Sequence, residues 1–414
     1  MLIRTQQLGP CEIRSPLRDG SRSLASEFVS DHQSVRLSVS GESTDDTRFE
    51  RAGAREAIFF DPRRVRAGIV TCGGLCPGLN HVVRALVLAL VHSYGCTAIK
   101  GYVYGYEGLT VGGAPPLDLD ADIVSEIHRM GGSRLGVSRG MQSPEEMTDV
   151  LERDGVSLLF AIGGDGTMRG AHAIANEAQR RGLKLAVVGI PKTIDNDIAF
   201  VDRTFGFETA VSLASEVLSA AHAEARSARN GVCVVQLMGR DAGFITAAAT
   251  LASAEVNVCL IPEVPFSSSG LLRFLEQRLG ARGHALIAVA EGCSAQLAGE
   301  TGAGKDRDAG VTLRKKIVAH FDALGSPAIV KYIDPSYTIR SVTANASDAM
   351  YCDQLARHAV HAAMAGRTDV LIGRLHREFV HVPLEMSTSV ARRVDPHGEL
   401  WRSVLQATGQ PSLL

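Results

Sequence analysis

The chain has 414 residues, 45% of them hydrophobic and 21% charged, with a formal charge of -2. That length exceeds one ordinary core, so two domains are expected. The near-neutral charge argues against a nucleic-acid or acidic-membrane partner; with no bilayer-length apolar run and no apolar leader core in the first sixteen residues, a cytoplasmic protein without a membrane partner is expected.

Residues 1–65 are polar and rich in Ser, Arg and Asp, and read as an extension with one or two short strands. From Arg66 the texture changes to alternating strands and helices, the pattern of a parallel sheet. Strands are predicted over 66–74, 98–105, 156–164 and 184–190, and helices over 79–95, 120–131 and 167–182. A second α/β block begins near 207, with helices over 208–228, 244–253 and 311–324 and strands over 231–239, 256–263 and 284–292. Residues 294–310 read as a Gly-rich loop. Its "GETGAGKD" imitates a phosphate-binding loop, but Lys305 is followed by Asp306 where Ser or Thr is required. Most of the eight cysteines stand in apolar runs, as buried hydrophobes of a reducing compartment do, and Cys72 and Cys76 lack a partner pair at zinc-site spacing.

Glycine is above its usual share, at 42 residues, which predicts tight turns and close backbone approaches to ligands. Three glycine-bearing turns follow strands of the first block: "TCGGLCPGLN" (71–80), "AIGGDGTMRGA" (161–171) and "GIPKTIDNDI" (189–198). In open α/β sheets ligands bind outside the carboxyl ends of the strands, so the three turns are expected to face one cleft. Glycines let backbone N–H groups approach phosphate oxygens, and the helix that follows adds its positive end. An acid between glycines, as in Gly-Gly-Asp-Gly-Thr, suits a metal that bridges donor phosphates better than it suits a bare turn. The charge packed into "PKTIDND", directly after a buried strand, is better explained by chemistry than by folding.

Together these turns resemble the phosphofructokinase family, over nearly the whole chain from about Arg66 to about Pro383. The segments "GIVTCGGLCPGLN", "LGVSRG", "IGGDGT", "PKTIDNDI", "LMGRDAGFI", "AEG" and "YIDPSYTIR" stand in the family's order. The extension matches the longer plant-like and protist-like ATP-dependent members. The resemblance implies an α/β protein of two doubly wound parallel-sheet domains with the active-site cleft between them. The donor domain would span 66–207 plus about 339–393, and the sugar-phosphate domain 208–338 plus about 394–414. It implies a 6-phosphofructokinase acting on fructose 6-phosphate with ATP and Mg²⁺, as a homotetramer or homodimer.

By the same resemblance, Asp195 matches the catalytic base, Thr193 and Ile194 line the sugar-facing turn, and Asp197 positions groups or metal. Asp165 is the Mg²⁺ ligand. Gly73, Arg139, Gly140, Gly164, Gly166, Thr167 and Lys192 match nucleotide and phosphate contacts. Met238, Gly239, Arg240, Glu291, Tyr337, Thr338, Ile339 and Arg340 match sugar-phosphate contacts, the arginines suited to a bidentate grip. Lys331 stands where shorter bacterial members carry an arginine that reaches a neighbouring subunit's substrate. A second such arginine aligns with Gly231, leaving Arg226 or Arg229 to replace it.

The donor is the open choice. Pyrophosphate-using members typically pair GGDD with PKTIDND, whereas short bacterial ATP enzymes pair GGDG with PGTIDND; this chain has GGDG with lysine. An aspartate at 166 would put a side chain and a negative charge where the α-phosphate passes, and Gly166 leaves that path open. Lys192 suits a phosphate from either donor. ATP is therefore expected, with the pyrophosphate-dependent enzyme as the alternative and a catalytically silent sugar-phosphate or nucleotide sensor as the reading of another class. The motifs leave open a ketose phosphate other than fructose 6-phosphate.

Overall fold

The computed structural model describes residues 1–18, 28–38, 46–140, 142–301 and 308–412, which leaves Lys305 and Asp306 of the P-loop-like segment outside the described residues. The chain divides into two compact units. The first comprises 1–193, 198–206 and 341–391, and the second 194–197, 207–340 and 392–414.

The first unit is built on a ten-stranded sheet among the described residues. Its central strands run parallel in the spatial order Ala98–Tyr102, Arg66–Thr71, Leu158–Gly163, Ala186–Pro191 and Val370–Leu375. The Leu158–Gly163 and Ala186–Pro191 strands are buried along their whole length, which is why they read as continuous apolar runs. The chain winds outward from Arg66–Thr71 to Ala98–Tyr102, then returns to place Leu158–Gly163 on the other side. That reversal makes a topological switch point between Arg66–Thr71 and Leu158–Gly163.

Residues from 1–65 are part of this sheet. Leu2–Ile3 and Ser34–Arg36 pair with Arg48–Arg51, which pairs in turn with Glu378–Pro383. Thr5 Oγ1 donates to the buried carboxylate of Glu50 at 2.6 Å, and the buried Arg367 and His381 face the same carboxylate.

The second unit holds four parallel strands in the order Val258–Leu260, His284–Ala290, Gly231–Leu237, Ile329–Ile333. Here the adjacent carboxyl ends of Gly231–Leu237 and His284–Ala290 lead into Arg240 and Glu291.

Most predicted elements form within a few residues of their expected limits. Four expectations are corrected. Residues 1–65, expected to carry one or two short strands, carry six among the described residues, each of two to four residues and each paired with another segment. Residues 120–131 are turns with one 3-10 segment at Ile127–Arg129: after a cap-like start, in which Asp120 Oδ1 accepts the Ile123 N–H at 2.7 Å, both the N–H and the Oγ of Ser125 donate to the Asp122 carbonyl, three residues back where a helix needs four. The helix over 79–95 is α-helical to Leu88 and then widens to a π-helix over Ala89–Tyr94. Ser294–Thr301, assigned to a loop, is a helix. The helices Pro144–Arg153, Ser268–Arg282, Ala346–Met364 and Glu399–Thr408 are the longer ones that were not expected from sequence, beside the short Ser336–Arg340 and Leu384–Ser387. No described helix is long and apolar enough to cross a membrane.

Candidate active site

In the first unit the three glycine turns leave three neighbouring parallel strands at the same edge. Gly163 stands opposite Pro191, and Ile162 opposite Thr71, so Gly73, Gly164 and Lys192 emerge side by side. Backbone bonds fix the turns to one another. The Cys72 N–H donates to the Ile162 carbonyl at 2.9 Å, the Lys192 N–H to the Gly163 carbonyl at 2.9 Å, and the Gly73 N–H to the Ser138 carbonyl at 2.8 Å. That last bond brings in the loop with Arg139 and Gly140, and an Arg139 Nη2 lies 3.4 Å from where a Cβ on Gly74 would be.

Lys192 braces these turns. Its side chain is buried, and Nζ donates to the Gly74 carbonyl at 2.6 Å. Gly73 has a φ of +85°, and a Cβ there would lie 3.2 Å from the same Nζ. The backbone at 73 therefore favours glycine, and a side chain there would crowd Nζ.

The Asp165–Arg180 helix begins at Asp165, with Gly164 as its cap. Thr167 is buried, and its carbonyl accepts from the Tyr106 hydroxyl at 2.6 Å. Gly163 is glycine for packing, since a Cβ would lie 2.0 Å from Thr167 Oγ1. Gly166 differs: a Cβ would meet only an Arg169 Nη2, at 4.0 Å. Asp165 pairs with Arg169 Nη1 at 2.5 Å, both side chains about half exposed, a geometry worth little in stability. Asp165 is a lone carboxylate, and among the described residues no group of three His, Cys, Asp or Glu side chains could hold a metal. That suits Mg²⁺, which keeps its waters and is held chiefly by donor phosphates, and it does not suit a structural metal.

In the second unit, Ile194 and Asp195 are buried, and Asp195 precedes Asn196 in a left-handed conformation (φ +56°). The Asp197 carbonyl accepts the Arg392 N–H at 2.8 Å. Gly239 and Arg240 both have positive φ, +144° and +48°. The left-handed arginine is strained by about 1–2 kcal/mol and is held by the Glu291 carboxylate, whose Oε1 accepts the Gly239 and Arg240 N–H groups at 3.3 and 2.7 Å. Gly292 leaves room for this bend, because a Cβ would lie 2.1 Å from the Arg240 carbonyl oxygen. Met238 is half-buried and Arg240 exposed.

The Ser336–Arg340 helix presents Tyr337, 74% exposed, with the Arg340 guanidinium 4.5 Å above its ring. Thr338 is exposed, and Ile339 is buried, so Ile339 has only its backbone to offer a ligand.

Lys331 is not gathered with Arg240 and Glu291. It pairs in register with Cys233, five residues before Met238 and so about 17 Å back along the strand. There it pairs with Glu224 of the Phe207–Arg226 helix, which raises its pKa. The Cys72 thiol is pushed up to about 12 by burial, which Lys192's charge offsets only in part, so it is no nucleophile. None of the eight cysteines, all of them among the described residues, forms a disulfide.

Two side chains of this neighbourhood were missed in the sequence. Glu263 accepts the Gly243 N–H at 2.9 Å, and Tyr106 holds Thr167. Glu263 carries a legible signal, being a charge placed directly after the apolar run "VCLIP", as in "PKTIDND".

Residues 66–363 match the family model described as PFK: Phosphofructokinase. A protein of Borreliella burgdorferi named ATP-dependent 6-phosphofructokinase is 44% identical over 432 residues, covering 99% of this chain and 97% of its own. The protein of that name from Trypanosoma cruzi is 48% identical over 370 residues, covering 87% of this chain and 76% of its own. Among solved structures, the pyrophosphate-dependent phosphofructokinase of Marinobacter aquaeolei superposes with a TM-score of 0.71 at 21% identity, over 83% of this chain and 91% of that one, a likeness of fold. The chain belongs to the phosphofructokinase family.

Proposed function

We propose that this chain is an ATP-dependent 6-phosphofructokinase. It transfers the γ-phosphoryl group of ATP to O1 of fructose 6-phosphate, giving fructose 1,6-bisphosphate and ADP. The observation that carries the choice of donor is the empty surround of Gly166. Its neighbour Gly163 is glycine because Thr167 fills the space, whereas nothing in the fold requires glycine at 166. The room is therefore kept for a ligand, and a nucleotide needs it at its α-phosphate. The names of the curated relatives from B. burgdorferi and T. cruzi agree with this reading.

In the mechanism, the first unit is the donor domain. The N–H groups of the Gly73 and Gly164 turns and the start of the Asp165 helix hold phosphate oxygens, with Lys192, Arg139 and Gly140 beside them. Asp165 would hold Mg²⁺, which would neutralise charge on the donor phosphates. The second unit is the sugar domain. Arg240 and Arg340 grip the 6-phosphate, with Met238, Gly239, Glu291, Tyr337, Thr338 and the Ile339 backbone around the sugar. Asp195, with Thr193, Ile194 and Asp197 in the same turn, accepts the proton of the O1 hydroxyl. The O1–P bond forms as the bond between the γ-phosphorus and the β-phosphate oxygen breaks, and the charge leaves on ADP. Lys331 serves a neighbouring subunit's substrate in a homotetramer or homodimer. Eight cysteines without a disulfide support the cytoplasmic location.

Initial rates with fructose 6-phosphate and Mg²⁺, comparing ATP with pyrophosphate at equal concentration, test the reading. Turnover with ATP alone is expected. Turnover with pyrophosphate alone would overturn the donor assignment, and turnover with neither would favour a silent sensor.

A further inference from the structure

The second unit contains a connection that no motif announces. Its C-terminal segment, which follows Ala391, touches both pieces of chemistry assigned to that unit. The Arg392 N–H donates to the Asp197 carbonyl at 2.8 Å, two residues from the base Asp195. The Arg392 guanidinium lies 4.8 Å from the ring centre of Phe244, the first residue of the Phe244–Ser253 helix. Two residues on, the Val394 N–H donates to Glu263 Oε1 at 2.9 Å.

Glu263 is the anchor of this connection. The same Oε1 accepts the N–H of Gly243, the cap of the Phe244–Ser253 helix, at 2.9 Å, and Oε2 lies 3.1 Å from it. A carboxylate here satisfies an orphan helix donor and complements the helix's positive end. Gly243 admits nothing larger, since a Cβ would lie 2.4 Å from Ile261 Cβ and 2.9 Å from Glu263 Oε2. Glu263 is in turn fixed through its neighbour, Gln296 Nε2 donating to the Pro262 carbonyl at 2.9 Å. The loop from Met238 to Gly243 is therefore pinned by two carboxylates, Glu291 at its start and Glu263 at its end, with the strained Arg240 between them.

We propose that Glu263 and residues Arg392–Val394 form a positioning strap that holds the Arg240 loop in register with the Asp195–Asp197 turn, so that Glu263 governs fructose 6-phosphate binding without touching it. This rests on the function proposed above. The physical basis is that a turn carrying a base and a loop carrying a phosphate-gripping arginine must share one frame, because a displacement of about 1 Å costs roughly 100-fold in rate. A helix cap alone would need only the Gly243 contact; the shared Oε1 and the Arg392 bond to Asp197 are what a cap does not require.

The test is steady-state kinetics of the full-length Glu263→Ala, Glu263→Gln and Arg392→Ala variants, with fructose 6-phosphate and MgATP varied separately, beside calorimetric binding of fructose 6-phosphate. Glu263→Ala is expected to raise the KM for fructose 6-phosphate about tenfold, a fraction of a full misplacement, with the KM for ATP within twofold of wild type. Glu263→Gln, which keeps an acceptor oxygen, is expected to recover most of that loss. Arg392→Ala, which keeps its backbone N–H, serves if Glu263→Ala does not fold, and should shift the same constant in the same direction. Equal changes in both KM values, or a lower thermal midpoint with neither KM altered, would overturn the strap in favour of a plain cap. Wild-type protein that binds fructose 6-phosphate but does not turn it over would refute the assigned activity, and the calorimetric arm would still decide on the strap.

Discussion

Replacing Gly166 by aspartate isolates the donor question from the fold. The new side chain enters open space: its Cβ meets only an Arg169 Nη2, at 4.0 Å, and φ at 166 is not positive. Exchanging a helix glycine for aspartate gains only a few tenths of a kcal/mol in propensity, and an anion in the first turn adds roughly 0.3–1 kcal/mol, before the repulsion from Asp165 is subtracted. The thermal midpoint should therefore stay within a few degrees of wild type. Against a phosphate about 5 Å away, the new carboxylate costs ~0.8 kcal/mol at the dielectric of water and ~3 kcal/mol at an effective value near 20. Through RT that is about fourfold to about 200-fold in kcat/KM for MgATP. Arg169 is already paired with Asp165, so it can screen only part of this. The assay is kcat/KM for ATP at saturating fructose 6-phosphate, repeated at higher ionic strength, where an electrostatic loss shrinks. A kcat/KM within twofold of wild type, in protein shown to be folded, would refute the reasoning that Gly166 keeps the α-phosphate path open.

Three further outcomes are expected. Asp195→Asn keeps the shape of its side chain and loses the base, so kcat should fall by about 10²–10⁴ while fructose 6-phosphate still binds by calorimetry; retained turnover would remove Asp195 from that role. Lys192→Met fills similar space but withdraws the donor from the Gly74 carbonyl, which should cost about 1–3 kcal/mol in denaturant unfolding and raise the KM for ATP; a stability loss with unchanged KM would leave Lys192 a brace only. Burial lowers the pKa of His358 to about 3 and of His361 and His381 to about 4, against 6.5 for an ordinary histidine; nearby arginines lower all three further, and at His381 the Glu50 carboxylate offsets part of the shift. These histidines are neutral when folded and take up protons on unfolding, so their stabilisation is full above pH 6.5 and is lost as pH falls toward 4, at a slope of roughly 4 kcal/mol per pH unit near pH 5. Unfolding midpoints measured across that range should drop steeply, less so in His358→Phe, whose ring would keep the stack on Phe379; a flat profile would refute it.

The parts of the fold legible in the sequence were those where one physical demand dominates. Buried parallel strands must be apolar on both faces, and Leu158–Gly163 and Ala186–Pro191 declared themselves. Segment 120–131 did not, because its apolar spacing fits a helix while Ser125 bonds back to the Asp122 carbonyl three residues away. Residues 1–65 look like a detachable polar arm, since their strands are two to four residues long; pairing with Glu378–Pro383, far away in sequence, gives them their place. In the site, the glycine turns and charged strand ends were legible because they are contiguous. Glu263 shares that signal, but its tie to Val394 and the tie of Arg392 to Asp197 were not legible, because no local pattern encodes a contact across 131 positions or more.

Glycine shows why a motif has to be taken apart residue by residue. Within "IGGDGT" the same residue type answers three different demands: at 163 the Thr167 hydroxyl occupies the space, at 164 the backbone turns into a helix cap, and at 166 the surround is empty. A conserved-looking string would give all three equal weight. At 164 φ is -86° and a Cβ would meet only the Lys192 carbonyl oxygen, at 3.4 Å, so the fold demands glycine outright only at 163; at 166, where the surround is open, a change in activity reports most directly on the ligand rather than on the fold. The reverse holds at Gly239 and Gly243 around Arg240, where Cβ atoms would meet the Ala242 carbonyl oxygen at 2.2 Å and Ile261 at 2.4 Å. Substitution there would lose the arginine's position together with the loop, and the kinetics could not tell the two apart. The carboxylates that pin that loop, Glu291 and Glu263, are the places where position can be altered in steps while the backbone stays closed.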